Sequence, residues 1–128
     1  MSAAFVSLCI FGAFFFYTGV HSLCRPKQFG EMLSLQPIGR SGLIEIRAQY
    51  GGFFLAAALS QFAGLTALIS IQTSFIVSLI IFGGLITGRF IALFDREDTS
   101  KITAPIMGLF FIDGCGALLS VVALKYWT

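Results

Sequence analysis

Apolar residues form four long stretches along the chain, and short polar segments separate them. The stretches cover about residues 3–23, 43–68, 73–94 and 104–126. At about 1.5 Å per residue, each is long enough as an α-helix to span a hydrocarbon core of about 30 Å. Only a helix satisfies its own backbone hydrogen bonds within such a segment. The pattern therefore predicts an all-α protein, a four-transmembrane-helix antiparallel bundle in which residues 1–128 form a single membrane domain.

The three polar connections differ in length. The first covers residues 25–42 and contains Pro26 and Pro37, which break helices. Its apolar residues form either a short helix on the membrane surface or part of an irregular loop. Only about residues 70–72 join the second and third stretches, so these two helices are expected to form a tight hairpin. The third connection contains the charged stretch 95–98, after which a side chain can cap the fourth helix: Thr99, Ser100 or Thr103.

Composition favours lipid as the solvent of this chain. Hydrophobic residues make up 57% of it and charged residues 11%, against about 25% charged residues in ordinary globular domains. The net charge of +2 is small and scattered, which argues against a nucleic-acid partner. Three cysteines without a CxxC pair and a single histidine predict no disulfide framework, no metal site and no cofactor.

The placement of lysine and arginine predicts an orientation. Basic residues gather in or beside the first and third connections, which lie on the same side of the bundle: Arg25, Lys27, Arg40, Arg47, Arg89, Arg96 and Lys101. The opposite side carries only Lys125 and the terminal amine. By the positive-inside rule, the charged loops are expected in the cytoplasm and both termini outside. The first helix has no basic residue before it and no small-residue cleavage site, so we expect it to be retained.

Small residues recur at every fourth position in the second and third helices. The second helix carries Ala48, Gly52, Ala56, Ser60 and Gly64, and the third carries Gly84 and Gly88. Such stripes let helix backbones approach closely in lipid. The first interpretation is packing inside the bundle. The alternative is contact with another subunit, which requires at least one stripe to face lipid in the isolated fold.

Asp113 is the most informative polar residue because it lies about 12 Å along the fourth helix from Pro105. A charge at such depth costs at least about 2.5–3.5 kcal/mol, so Asp113 needs a partner or a proton. Arg89, near the cytoplasmic end of the third helix, is the expected partner. Two hypotheses remain open. The pair is either a structural link between helices or part of a polar cavity for a headgroup, an ion or a small molecule.

Three further polar residues are expected on the same side. Glu45 and Gln49 are four residues apart near the cytoplasmic end of the second helix and share the face of Gly52. His21 ends the first helix, where an interfacial hydrogen-bonding group is a simpler interpretation than a ligand or base. Arg47 is expected to extend toward the headgroups. The sequence thus predicts a polar cluster of Glu45, Gln49, Arg89, Asp113 and His21 in the inner half of an otherwise apolar bundle.

The motifs around these residues resemble a known family. They are Gly39-Arg40, Glu45-Ile46-Arg47-Ala48-Gln49-Tyr50-Gly51-Gly52, Gly88-Arg89 and Asp113-Gly114. With them, the chain resembles the small bacterial four-helix membrane proteins catalogued as domain of unknown function 4345. The resemblance covers nearly the whole chain. It implies a four-helix fold in the bacterial cytoplasmic membrane and singles out the same polar residues, but it implies no activity.

The sequence contains no catalytic motif. There is no nucleophile elbow, no glycine-rich loop after a strand, and no second histidine for a metal pair. The first functional hypothesis is therefore a non-catalytic membrane module that packs with itself or with other membrane proteins. The alternative is a protein that binds or transports a small molecule, a lipid headgroup or protons through the polar cluster.

Overall fold

The computed structural model describes residues 2–95, 97 and 100–128, and every regular element among them is helical. Six α-helices and one π-helical segment follow one another: α1 Ala3–Cys24, α2 Pro26–Met32, α3 Gly39–Ile46, the π-helical segment Arg47–Gly52, α4 Phe53–Leu65, α5 Ile71–Ala92 and α6 Ala104–Tyr126. The predicted all-α class is confirmed for the described part of the chain.

Among the described residues, three helices are long and apolar enough to cross a membrane: α1, α5 and α6. Their bounds agree with the predicted stretches to within two residues. The predicted second stretch differs, because its helical backbone begins earlier, at Gly39, and ends earlier, at Leu65. It is also divided by the π-helical segment, so α4 by itself has only 13 residues. A hydropathy pattern does not register this division, since an altered turn leaves the run of apolar residues unchanged.

Serine side chains fix the start of two long helices. Ser2 Oγ accepts a hydrogen bond from Phe5 N at 3.2 Å before α1, and Ser70 Oγ accepts one from Thr73 N at 3.1 Å before α5. Each satisfies a backbone donor that the first helical turn leaves free. Thr103 precedes α6, but its side chain makes no capping hydrogen bond. Of the other predicted caps, Thr99 lies outside the described residues, as do Arg96 and Asp98 of the charged stretch.

The connection between α4 and α5 lies slightly earlier than predicted. Ala67 adopts a left-handed conformation with φ of 61° just after α4. Ala67 N donates to Gly64 O at 3.3 Å and Leu68 N donates to Ala63 O at 2.9 Å. This pair of bonds is the Schellman arrangement, which ends a helix. Ser70 therefore caps α5 instead of forming the middle of the loop.

α1 contacts α4 and the π-helical segment before it in the reverse order of the sequence. α1 packs chiefly along α4, and α5 along α6. A side chain at Gly12 would meet Phe62, and one at Gly51, in the π-helical segment, would meet Leu23. Residues near the start of α1 thus contact the end of α4, and the end of α1 contacts the segment before α4.

Phenylalanine rings fill the centre of the bundle. The Phe11 and Phe15 rings of α1 lie 5.0 Å and 5.1 Å from the Phe82 ring of α5, and Phe15 also lies 5.7 Å from Phe54 of α4. These four rings are buried. Aromatic pairs at such distances stabilise beyond the area they bury. The core therefore links α1 to both helix pairs.

The predicted small-residue stripes are only partly buried. Gly64 packs against Ser74 of α5, and Ser60 is half-buried. Gly52 and Ala56 are exposed, as are Gly84 and Gly88 of α5. Their interpretation as packing positions inside this bundle is wrong. Four-residue spacing identifies a helical face, but an adjacent face about 100° away presents different residues, and on α4 that face meets α1 and α5.

The first connection folds back over one end of the bundle. It contains α2, so a short helix rather than an irregular loop is present. Phe29 of α2 and Leu33 are buried together with Ile46, and they pack against Ile106 and Leu109 of α6. These apolar residues therefore contact the protein instead of lying on a membrane surface, and they form a second, smaller core.

Candidate functional site

An ion pair between Arg89 and Asp113 joins α5 to α6. The register of the two helices brings them together. On one side of the pair the Phe90 and Phe110 rings lie 6.0 Å apart, and on the other side Phe82 covers Gly116. Asp113 is 1% exposed and the Arg89 side chain is 20% exposed. A charged pair is thus held where the surrounding helix surface is apolar.

The pair leaves hydrogen-bonding capacity unused. Arg89 Nη1 faces Asp113 Oδ2, and neither buried atom has another hydrogen-bond partner among the described residues. A guanidinium carries five N–H donors, and Asp113 is its ion-pair partner in the described part of the chain. The Asp113 carboxylate cannot accept from all five of these donors at once. The arrangement therefore suits an additional acceptor beside Arg89.

A cavity of about 260 Å³ lies directly against this pair. Arg89 and Asp113 are part of its wall, and the other lining residues are almost all apolar or aromatic. They come from α1, α2, the π-helical segment, α4, α5 and α6: Phe14, Tyr17, Thr18, Phe29, Met32, Leu33, Tyr50, Phe54, Leu85, Pro105, Leu109 and Ile112. Apolar pockets with a few convergent polar groups are typical of small-molecule sites.

One side of the cavity is an aromatic wall made of Phe29, Tyr50 and Phe54. The Tyr50 ring lies 5.2 Å from Phe29 and is stacked on Phe54 with an interplanar angle of 4°. Tyr50 belongs to the π-helical segment, a type of turn that is frequent at functional sites. Tyr50 is not among the site residues predicted from the sequence, although it lies inside the motif on which the family resemblance depends.

The cavity is open between α1, α2 and α6. Tyr17 of α1 is 66% exposed, and Met32 of α2 and Ile112 of α6 are also exposed, although all three line the cavity. The rim is therefore apolar and amphipathic rather than charged. Such a rim is suited to contact with lipid.

Glu45 and Gln49 do not join the ion pair. Both are exposed, and Gln49 Nε2 donates to Glu45 Oε2 at 3.3 Å. Arg47, which is also exposed, donates from Nε to Leu23 O at 3.1 Å, near the end of α1. The predicted polar cluster is therefore wrong for Glu45 and Gln49, which lie on the surface and bond to each other instead of joining Arg89 and Asp113. Their spacing does place Glu45 beside Gln49, but on the outer surface of the helix.

His21 also lies apart from the ion pair. Its ring contacts Tyr17 at 5.6 Å and the edge of Phe29 at 5.5 Å, and it is half-buried. The buried Nδ1 atom has no hydrogen-bond partner among the described residues. His21 thus supports two residues that line the cavity without lining it itself.

A second buried polar group lies at the other end of the bundle. Gln61 of α4 is fully buried, donates from Nε2 to Ser74 O at 3.3 Å, and accepts from Ser78 Oγ at 3.0 Å. Ser74 Oγ in turn donates to Ser60 O at 2.9 Å. These bonds join α4 to α5, so the expectation that this half of the bundle is apolar is wrong. The sequence feature that could have predicted this network is Gln61 itself, a single glutamine within an apolar helix.

No arrangement typical of metal binding is found in the described part of the chain, where no three His, Cys, Asp or Glu side chains are close enough to share an ion. No family model, no curated protein and no solved structure matches this chain. The geometry of the cavity and its ion pair is therefore the basis for a functional assignment.

Proposed function

We propose that this protein crosses the bacterial cytoplasmic membrane four times and binds a small, largely apolar membrane molecule, without catalysing a reaction on it. The observation that carries the proposal is the cavity of about 260 Å³ with the buried Arg89–Asp113 pair in its wall. Charged residues within membrane segments are costly and mark functional sites by default.

The fourth crossing is supported by the helical backbone between Gly39 and Leu65. Both junctions of the π-helical segment stay helical, with φ of −61° at Ile46 and −60° at Phe53. The part from Ala48 to Leu65 carries no charged residue, and at about 1.5 Å per residue it is about 27 Å long, close to the thickness of a hydrocarbon core of about 30 Å. Four crossings are also what the resemblance to domain of unknown function 4345 implies.

We further propose that both termini lie outside and the charged loops inside. Exposed basic residues such as Arg25, Arg40 and Lys101 gather at the end of the bundle where α2 covers α6. In a variant whose three native cysteines are replaced by serine, Ser70→Cys should react with a membrane-impermeant maleimide in intact cells. Ser41→Cys should react only after permeabilisation. The reverse labelling pattern would overturn the orientation.

The binding proposal is tested by filling the cavity. Leu109 lines it, and Leu109→Trp adds a bulky ring to a space of about 260 Å³. Leu118→Trp is the matched control, because it makes the same change on an exposed position of α6. Mass spectrometry of gently purified protein should find a molecule that co-purifies with the wild type and with Leu118→Trp but not with Leu109→Trp. Equal retention by all three would refute binding in this cavity.

A second candidate function is association with another copy of the chain. It is favoured by the exposure of Ala56 and by Gly52, Gly84 and Gly88, at which an added Cβ would meet no atom within 4 Å. Small exposed residues allow close contact between helices in lipid. Cross-linking in membranes should then capture dimers, and Ala56→Trp should abolish them. The control Leu59→Trp alters a neighbouring exposed position; dimers that survive Ala56→Trp would exclude this face.

A further inference from the structure

We propose that the cavity binds the uncharged, planar, carbonyl-bearing ring of a membrane lipid of the quinone class, between the aromatic wall and the Arg89–Asp113 pair. The apolar tail of this lipid leaves through the opening between α1, α2 and α6. This inference rests on the proposed binding function and names the class of molecule bound.

The size of the cavity sets the size of the group inside it. An apolar protein cavity of about 150 Å³ holds a benzene molecule. The cavity beside Arg89 has about 260 Å³, which corresponds to roughly ten non-hydrogen atoms on the same scale. A substituted six-membered ring fits this volume, whereas a complete membrane lipid does not. The remainder of a lipid must therefore lie outside the cavity.

The shape of the walls favours a planar ring. Tyr50 and Phe54 are stacked on each other, and Phe29 packs against Tyr50, so one side of the cavity presents aromatic surface. Aromatic side chains prefer offset-stacked or edge-to-face contacts with other rings. Leu85 and Leu109 contribute apolar contacts from α5 and α6. A flexible acyl chain would gain less from this wall than a flat ring.

The charge balance of the pair favours an uncharged ligand with acceptor oxygens. Arg89 and Asp113 neutralise each other, so an anion would add a second negative charge and a cation a second positive charge at a site of low dielectric. A guanidinium has five N–H donors, more than one carboxylate accepts, so Arg89 suits a further acceptor. The phenolic hydroxyl of Tyr50, which lines the same cavity, is a second potential donor. A carbonyl oxygen suits both groups.

The opening determines where the tail goes. Tyr17, Met32 and Ile112 are exposed at the rim, and they are apolar or amphipathic. In a bundle that crosses the membrane, this rim faces lipid rather than water. A tail attached to the ring can pass through this opening at no extra cost, because the tail stays in contact with lipid hydrocarbon and never enters water.

A tryptophan at the rim reports occupancy directly. The reporter is Tyr17→Trp combined with Trp127→Phe, which leaves one tryptophan because the chain has only one of its own. A decyl-substituted benzoquinone, which quenches indole fluorescence on contact, is titrated into the reporter protein in lipid nanodiscs. We expect saturable quenching. Quenching that rises only in proportion to added quinone, as in membrane partitioning, would overturn the inference.

Competition by matched amphiphiles then tests the chemistry of the ring. Decylbenzene has a flat six-membered ring and the same tail but no carbonyls, and the 4-decylbenzoate ion carries a negatively charged carboxylate on its ring. Both should displace the quinone only at concentrations about tenfold to a hundredfold higher, the range expected for the loss of a hydrogen bond to a charged donor. Displacement by decylbenzene at equal concentration would exclude carbonyl recognition, and preferential displacement by decylbenzoate would identify an anion site instead.

The ion pair is removed as a unit in the double variant Arg89→Met, Asp113→Leu, so that no unpaired charge is left in the cavity. The preference for the quinone over decylbenzene should fall by about tenfold or more in this variant. An unchanged preference would overturn the role assigned to Arg89. If Leu109→Trp removes a co-purifying molecule while the quinone does not bind, the cavity keeps its proposed function and only the quinone class is refuted.

Discussion

Breaking the Arg89–Asp113 pair should destabilise the protein strongly, whereas removing both partners together should have little effect on stability. Asp113 is 1% exposed, so Arg89→Met leaves a carboxylate that cannot reach water. Removal of one partner of a buried ion pair typically costs about 3–5 kcal/mol. We therefore expect Arg89→Met to lower the free energy of unfolding by about 3–4 kcal/mol.

The single variant that removes the acid, Asp113→Leu, should destabilise the protein less than Arg89→Met. Asp113→Leu leaves Arg89, whose side chain is already 20% exposed and is long enough to move its charge toward the interface. A cost of about 2–3 kcal/mol is expected on the scale of charges in membrane helices. The double variant leaves no charge behind, and apolar replacement of a buried pair is often neutral. It should unfold within about 1 kcal/mol of the wild type.

Equilibrium unfolding in mixed micelles, followed by the helical circular dichroism signal as SDS is added, measures these differences. The wild type, the two single variants and the double variant together give a coupling free energy, which should be about 4 kcal/mol or more. A double variant that is more stable than the sum of the single effects predicts shows that the two residues act as one unit. If both single variants were as stable as the wild type, the assigned ion pair would be refuted. A double variant as unstable as Arg89→Met would show that this buried site requires charge for folding.

Two further pairs of variants test the packing of the bundle. Gly116→Ala should lower the free energy of unfolding by about 1–3 kcal/mol, because its Cβ would lie 2.6 Å from ring atoms of buried Phe82. The control Gly84→Ala should be tolerated, since a Cβ there meets no atom within 4 Å. Equal effects of the two variants in the same SDS titration would contradict the close approach of α5 and α6. Gln61→Leu should lower the free energy of unfolding by about 1–2 kcal/mol, because hydrogen bonds between membrane helices contribute about 0.6 kcal/mol on average and at most about 1.7 kcal/mol. The control Gln72→Leu, at an exposed position, should have no measurable effect. If Gln61→Leu stabilised the protein, the buried network would not be needed for folding.

The sequence by itself predicted the helices because hydropathy reports the solvent that each segment meets. The bounds of α1, α5 and α6 follow from the lengths of their apolar runs and from the residues that flank them. The depth of Asp113 and the need for a partner also follow from the sequence, since a carboxylate within an apolar helix cannot stand alone at low cost. Arg89 was the nearest residue able to reach it.

Only the tertiary structure decided which helical face meets which neighbour. Gly51 contacts α1 while Gly52 faces outward, although the two glycines are adjacent in sequence. Glu45 is on the outer surface, whereas Tyr50 lines the cavity. The orientation of each residue depends on the register between helices and on the π-helical segment, and both are set by contacts between residues far apart along the chain. Periodicity defines faces, but packing selects among them, so the cavity beside Asp113 and its aromatic wall emerged from the fold and not from the pattern.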